Sequence, residues 1–370
     1  MRIYPNLDTA FIGQIIRAVA EDETTVRRMV ADIRPATEPV GEYVTELEER
    51  RKVFAELREL CRKHHTTPYA AVLGFFMVAP LDRVRDLLAQ CRAAPRASFW
   101  LNSVKLADAS CVPTYLPVAP GFMPAPPRVP DNDESDDQSW HDDDDAPTSE
   151  TIYQPSLAAQ KALTRDRATC PFTTTPSPAV VLLAPPSQPS PSLSILHTLW
   201  GESTATAWSR AADDARDADS PQNHLCLNRQ LRHWFEQARF ALKPLRCGPS
   251  AEDGEKGKGG YELVVQWHWL RRSKLAPRMG VEMEVGEDKV MEMAGLLPVE
   301  GEEGTRGWGW ECDGVLRGSG VPIRTGQTFV IWAEREEDLP SRELMEMRWV
   351  LQRVAAICGA AEEGAREEVY

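Results

Sequence analysis

NHLCLNRQLRHWFEQARFALKPL, residues 223–245, is the stretch on which the reading of this chain turns. Its apolar residues first alternate, at Leu225 and Leu227, and then fall at helical spacing through Leu231, Trp234, Phe235, Ala238 and Leu242. Alternation followed by a period near 3.6 predicts a short strand or hairpin arm running into a helix. The same stretch is dense in side chains that engage metals, phosphates and stacked rings: Asn223, His224, Asn228, Arg229, Arg232, His233, Trp234 and Arg239. The question it poses is whether those groups can do chemistry.

Working outward, PAVVLLAPP (178–186) is wholly apolar and edged by prolines, which predicts a buried strand. SPSLSILHTLWG (190–201) predicts a short helix ended by Gly201, and Asp213–Asp219 an acidic loop. Downstream, ELVVQWHWL (262–270) predicts a strand with Trp267 and Trp269 on one face and His268 on the other. Rings on a half-buried strand read as core before base-stacking platforms. TFVIWA (328–333) predicts another strand. Ser341 is a good N-cap for a helix whose stripe is Leu344, Met347, Leu351, Val354 and Cys358, with Gly359 near its end. Residues 250–260 and 299–320 read as loop and turns, and DGVLRGSG (313–320) lacks the lysine of a phosphate loop.

The N-terminal part, 1–111, reads as helical. Apolar residues at 44, 47, 54, 57 and 61 form one stripe, a second helix starts near Leu81, and YAAVLGFFMVA between them is apolar on all sides. Residues 112–157 are a Pro-rich and then acidic linker, DNDESDDQSWHDDDDA, whose crowded like charges predict disorder. His141 sits there without any fixed geometry for a metal. The linker holds ten carboxylates of a chain with 56 acidic and 42 basic residues and a net charge of −14, so the ordered parts are nearer neutral. Residues 158–362 form the second ordered region and 363–370 a tail. Eight cysteines with no C-x-x-C pair predict reduced thiols rather than a disulfide framework or a Cys-based zinc site. The N-terminus is broken by Gln14 and Arg17 and is no signal peptide, and the apolar run 69–80 is too short for a bilayer. The expectation is an intracellular protein, cytoplasmic or nuclear, with no membrane contact.

Six separated blocks, in order, resemble the HNH-nuclease-domain proteins of filamentous fungi: TRDRATCPFTTT (164–175), the strand ending at Pro185, LHTLWG (196–201), 223–245, VVQWHWL (264–270) and LPSRELMEMRWVLQRVAAICGAAE (339–362). The resemblance spans 158–362 and implies an α+β fold: a helical N-terminal region and disordered acidic linker, then an HNH-like ββα core elaborated by strands and a C-terminal helix. In such domains two antiparallel strands and a helix clamp one divalent metal, Mg, Mn or Zn, against the scissile phosphate. A His ending the first strand is the general base, the Asn between the strands fixes that segment through backbone hydrogen bonds, and a His on the helix ligates the metal.

Carried over residue by residue, the general-base position is Leu182, the Asn is Asn223, and the metal-His position is Arg232, with His233 one place later. One residue on a helix is about 100° of rotation. Leucine has no proton to exchange, and arginine offers a metal no lone pair, though it can hold a phosphate. The resemblance therefore implies an HNH endonuclease-like pseudoenzyme with metal binding lost or altered. Arg229, Arg232 and Arg239 are its candidate phosphate-binding residues, for DNA, RNA or a protein partner. Two alternatives stand beside it. One is an active divalent-metal endonuclease using His233, with His224 or Asp166 as further substitutes. The other is a structural or interaction protein.

Overall fold

The computed structural model describes residues 43–93, 156–184, 193–217, 220–250, 260–277, 279–281, 285–297, 315–318 and 320–360. The acidic linker, the tail 363–370 and His141 lie outside the described residues. So does most of 299–320.

Three helices come first: α1 (Leu47–Lys63), α2 (Ala70–Val78) and α3 (Leu81–Ala93). In α1, Glu48 and Glu49 open the helix and Arg62 and Lys63 close it, each charge opposite to the end of the helix dipole it meets. Every residue of α2 is buried. No side chain caps α2. Instead the amides of Ala70 and Ala71 donate to the carbonyls of Met279 and Pro277, at 2.9 and 3.1 Å, so a distant segment satisfies its first donors. α2 also packs against the last described helix, α9 (Arg342–Cys358). A Cβ on Gly74 would stand 2.9 Å from the Val354 carbonyl oxygen, so only glycine allows that approach. One hydrophobic core thus runs from Val44 to Ala360, and the described N-terminal helices are part of it.

Between these ends lie α4 (Leu157–Arg165), β1 (Ala179–Leu182), α5 (Leu193–Trp200), α6 (Glu202–Asp217), β2 (His224–Leu227) and α7 (Arg229–Glu236). β1 and β2 pair antiparallel with Leu182 opposite His224. The chain then enters a three-stranded antiparallel sheet ordered β3 (Phe240–Pro249), β4 (Tyr261–Trp269), β5 (Thr328–Ala333), with α8 (Glu287–Met293) inserted before β5. The fold is a mixture of helices and sheets, as the α+β expectation has it.

Two expectations are corrected. The helix beginning near Leu231 stops at Glu236, and FALKPL is a strand. Ala238 adopts φ 46°, a left-handed conformation that ends the helix, and Pro244 sits at a bulge of the edge strand β3, where its missing N–H is tolerated. Asp213–Asp217 is the last turn of α6 rather than a loop. Ala205, Trp208, Ala212 and Ala215 are buried at helical spacing and carry the acidic residues with them. Other boundaries agree with the sequence. β5 is the expected TFVIWA, Ser341 Oγ accepts from the Leu344 amide at 3.3 Å, and Gly201 and Gly359 end their helices at φ 83° and 76°.

Trp267 and Trp269 are core residues. Trp267 is fully buried and stacks on Phe240 with centroids 3.9 Å apart. His268, on the opposite face, lies 4.8 Å from the Trp349 ring, and its Nε2 meets Gln266 Oε1 at 3.0 Å. Burial first, and then the neighbouring Lys243 and Arg353, lower its pKa from 6.5 to about 4. Between those values the unfolded chain takes up a proton that the folded one refuses, so stability falls as pH drops from 6.5 towards about 4. The expected contribution is about 1.4 kcal/mol per pH unit in that window. Urea unfolding across the acid range should show a shallower slope for His268→Gln. An unchanged slope would remove His268 as its source.

Candidate functional site

Asn223 ends a one-turn 3-10 helix (Pro221–Asn223) that Ser220 caps, its Oγ accepting from the Gln222 amide at 3.2 Å. Asn223 is 3% exposed, and its side-chain amide both donates to and accepts from a single residue. Nδ2 donates to the Ala184 carbonyl at 2.9 Å, and Oδ1 accepts from the Ala184 amide at 2.6 Å. The Asn223 carbonyl accepts from the Leu183 amide at 2.8 Å. The two residues that follow β1 are thereby locked to the turn before β2, although 39 residues separate Asn223 from Ala184.

α7 follows directly. Asn228 is its N-cap, with Oδ1 accepting from the Leu231 amide at 2.6 Å and Nδ2 donating to Thr173 Oγ1 at 3.3 Å, so this residue is structural. Leu231 and Phe235, four residues apart, are buried where α7 packs on β1 and β2. Arg232 is half-buried, and its Nε donates to Glu236 Oε1 at 2.9 Å. Arg229 and His233 are exposed, and Arg239 is half-buried with Nε donating to Gln237 Oε1 at 3.3 Å. The eight side chains singled out in the opening stretch thus divide: Asn223 and His224 are buried, Asn228, Arg232, Trp234 and Arg239 are half-buried, and Arg229 and His233 are exposed.

His224 lies in β2 with its Nδ1 2.9 Å from the Ser220 carbonyl. Asp166 is tied to Arg165 through a two-pronged pair at 2.8 and 2.7 Å, both side chains almost wholly buried. Arg165 also donates to the carbonyls of His224, at 3.2 Å, and Asp338, at 3.1 Å. Asp166 is therefore spent on holding α4 to β2. The Cys226 thiol beside it is pushed far up, by burial first and then by that carboxylate, and stays protonated.

The sequence reading missed the residue that joins β1 to α7. Arg348, on α9, is 2% exposed and donates through Nη2 to the Leu182 carbonyl at 3.3 Å. Its guanidinium stands 5.6 Å over the Phe235 ring. Burial lowers its pKa from 12.5 to about 9, and the Glu236 carboxylate works against that shift. Four residues on, Gln352 Nε2 donates to the Phe235 carbonyl at 3.0 Å. The signal in the sequence was an arginine inside an otherwise apolar stripe, between Met347 and Leu351.

These positions have the wrong chemistry for a divalent cation. Leu182 carries no donor atom, the Asn223 oxygen is engaged by the Ala184 amide, and Arg232 brings a positive charge paired to Glu236. Among the described residues no group of three or more His, Cys, Asp or Glu side chains could hold a metal. Nor is any helix there long and apolar enough to cross a membrane.

A family model of HNH endonucleases matches residues 170–243, from the Cys170 loop through β1, β2 and α7 into β3. The match is narrower than the sequence resemblance, whose blocks at 264–270 and 339–362 lie outside it. No curated protein and no solved structure matches the chain.

Proposed function

We propose that β1, β2 and α7 form an HNH endonuclease-like ββα frame that binds nucleic acid through its phosphates and does not cleave it. The observation that carries this reading is the double hydrogen bond of Asn223 to Ala184, at 2.9 and 2.6 Å. It keeps the strand-to-turn geometry in which a base and a metal ligand would be held, while Leu182 and Arg232 supply neither. Without a lone pair or exchangeable proton at Leu182 there is no group at that position to activate water. Without a ligand at Arg232 no metal would neutralise the charge that develops on a phosphate under attack. What remains is cationic: Arg229, Arg232 and Arg239 lie on or just beyond α7, and guanidinium forks match phosphate oxygens.

Fluorescence anisotropy with labelled duplex and single-stranded oligonucleotides, over a range of salt, tests the reading. Binding is expected to weaken steeply with salt, and each of Arg229→Ala, Arg232→Ala and Arg239→Ala to reduce the salt slope by about 1. Parallel incubations with Mg²⁺, Mn²⁺ or Zn²⁺ should leave the nucleic acid intact. No binding at low salt would overturn the binding half. Metal-dependent nicking that disappears in His233→Ala would overturn the other half and make the protein an active nuclease.

A further inference from the structure

β5 is an edge strand, and its side chains divide cleanly. Phe329, Ile331 and Ala333 face the core, whereas Val330 and Trp332 are 53% and 41% exposed. They are two of the four exposed large hydrophobic residues among the described residues, and they stand on one face of one strand. The Trp332 ring lies across Gly260, where a Cβ would stand 2.5 Å from the indole nitrogen, so the indole is seated on the sheet rather than loose.

The backbone of β5 is also in phase for a further strand. The Trp267 amide donates to the Gln327 carbonyl at 2.8 Å, and β5 runs antiparallel to β4 with Phe329 opposite Val265 and Ile331 opposite Leu263. That phase turns the polar groups of Gln327, Phe329, Ile331 and Ala333 towards β4. It turns the N–H and C=O of Thr328, Val330 and Trp332 outward, along an edge to which no other strand is paired among the described residues. An outward row of donors and acceptors flanked by apolar side chains is a template for strand addition.

We propose that this edge pairs with the β5 of a second copy of the chain, antiparallel about a two-fold axis at Ile331. That register keeps the outward-pointing residues in hydrogen-bonded pairs and sets Val330 opposite Trp332 of the other copy, twice over. β-Branched and aromatic cross-strand pairs are among the favourable ones. Centring the axis on Val330 instead would leave each Trp332 facing a threonine. Charge agrees with the antiparallel sense: Arg324 precedes the strand, and Glu334, Glu336, Glu337 and Asp338 follow it and outnumber the one cation among them, Arg335. The two-fold therefore brings the basic end of one strand to the acidic end of the other. A two-fold contact of this kind is closed and stops at two chains. The net charge of −14 opposes association, so dimerisation strengthens with salt, opposite to nucleic-acid binding.

Sedimentation equilibrium and multi-angle light scattering on the full chain read the outcome. The wild type should move with concentration from the 41.4 kDa monomer to twice that mass. Val330→Pro removes an outward N–H and Trp332→Lys adds a charge, both at exposed edge positions. Each should remain monomeric with the far-UV spectrum and melting temperature of the wild type. A wild type that stays at 41.4 kDa at every concentration overturns the proposal. So does growth beyond two chains, or two folded variants that dimerise like the wild type.

Discussion

Asn223→Ala is expected to cost roughly 3 kcal/mol of stability, because it strands both the amide and the carbonyl of Ala184 in a residue that is 2% exposed. Each buried group left without a partner costs about 1–3 kcal/mol. For a chain of this size the melting temperature should fall by several degrees, on the order of 2–4 °C for each kcal/mol. Asn223→Asp should do no better at neutral pH. It retains an acceptor for the Ala184 amide but places a carboxylate against the Ala184 carbonyl, where the wild type has a donor. Chemical denaturation of both variants measures the effect. An Asn223→Ala protein within about 0.5 kcal/mol of the wild type, the ordinary range for a surface change, would show that the lock between β1 and the turn is dispensable.

A second large effect is expected at Glu236. Its carboxylate pairs with Arg232 at 2.9 Å and opposes the burial penalty on Arg348. Removing it deprives the buried Arg348 guanidinium of a nearby carboxylate and Arg232 of its partner, a change expected to cost on the order of 1–3 kcal/mol. The cost shrinks when the cation goes too. Arg348→Met replaces the guanidinium with an apolar side chain over Phe235 and should be far milder than stranding the charge, because the burial penalty on the cation goes with it. In that background Glu236→Ala should cost far less than in the wild type. The four proteins form a double-mutant cycle, read by urea unfolding. Equal costs of Glu236→Ala with and without Arg348 would dissolve the coupling.

The sequence made β4, β5 and α9 legible, whereas α6 and β3 were not, the one because its buried face is built mostly of small alanines and the other because its apolar residues continue a helical spacing. β5 is a short run of β-branched and aromatic residues, and the α9 stripe repeats at three to four residues between a serine cap and a terminal glycine. The boundary of α7 was not legible because Ala238 and Leu242 continue the helical spacing by coincidence. The left-handed turn at Ala238 is a backbone choice that an alanine side chain does not announce. At the site, the pairing of the strand that ends at Leu182 with the strand that follows Asn223 was legible from the two apolar stretches. Arg348 was not, because it reaches Leu182 across 166 residues of chain. Asp166 looked available because its partner, Arg165, is the residue next to it, and adjacency in sequence says nothing about whether two side chains turn inward together.

The all-apolar helix α2 finds its cover on α9, the last described helix, while the backbone at Tyr43 is held by Arg353 across 310 residues. Contacts of that span close only after the chain has been made through α9. During synthesis, α2 leaves the ribosome with every face greasy and must wait for α9 before it can be covered. That interval is when a nascent chain is most open to aggregation and most in need of a chaperone's shelter. The helix that anchors Arg348 beneath the site is therefore also the element whose arrival ends that exposure.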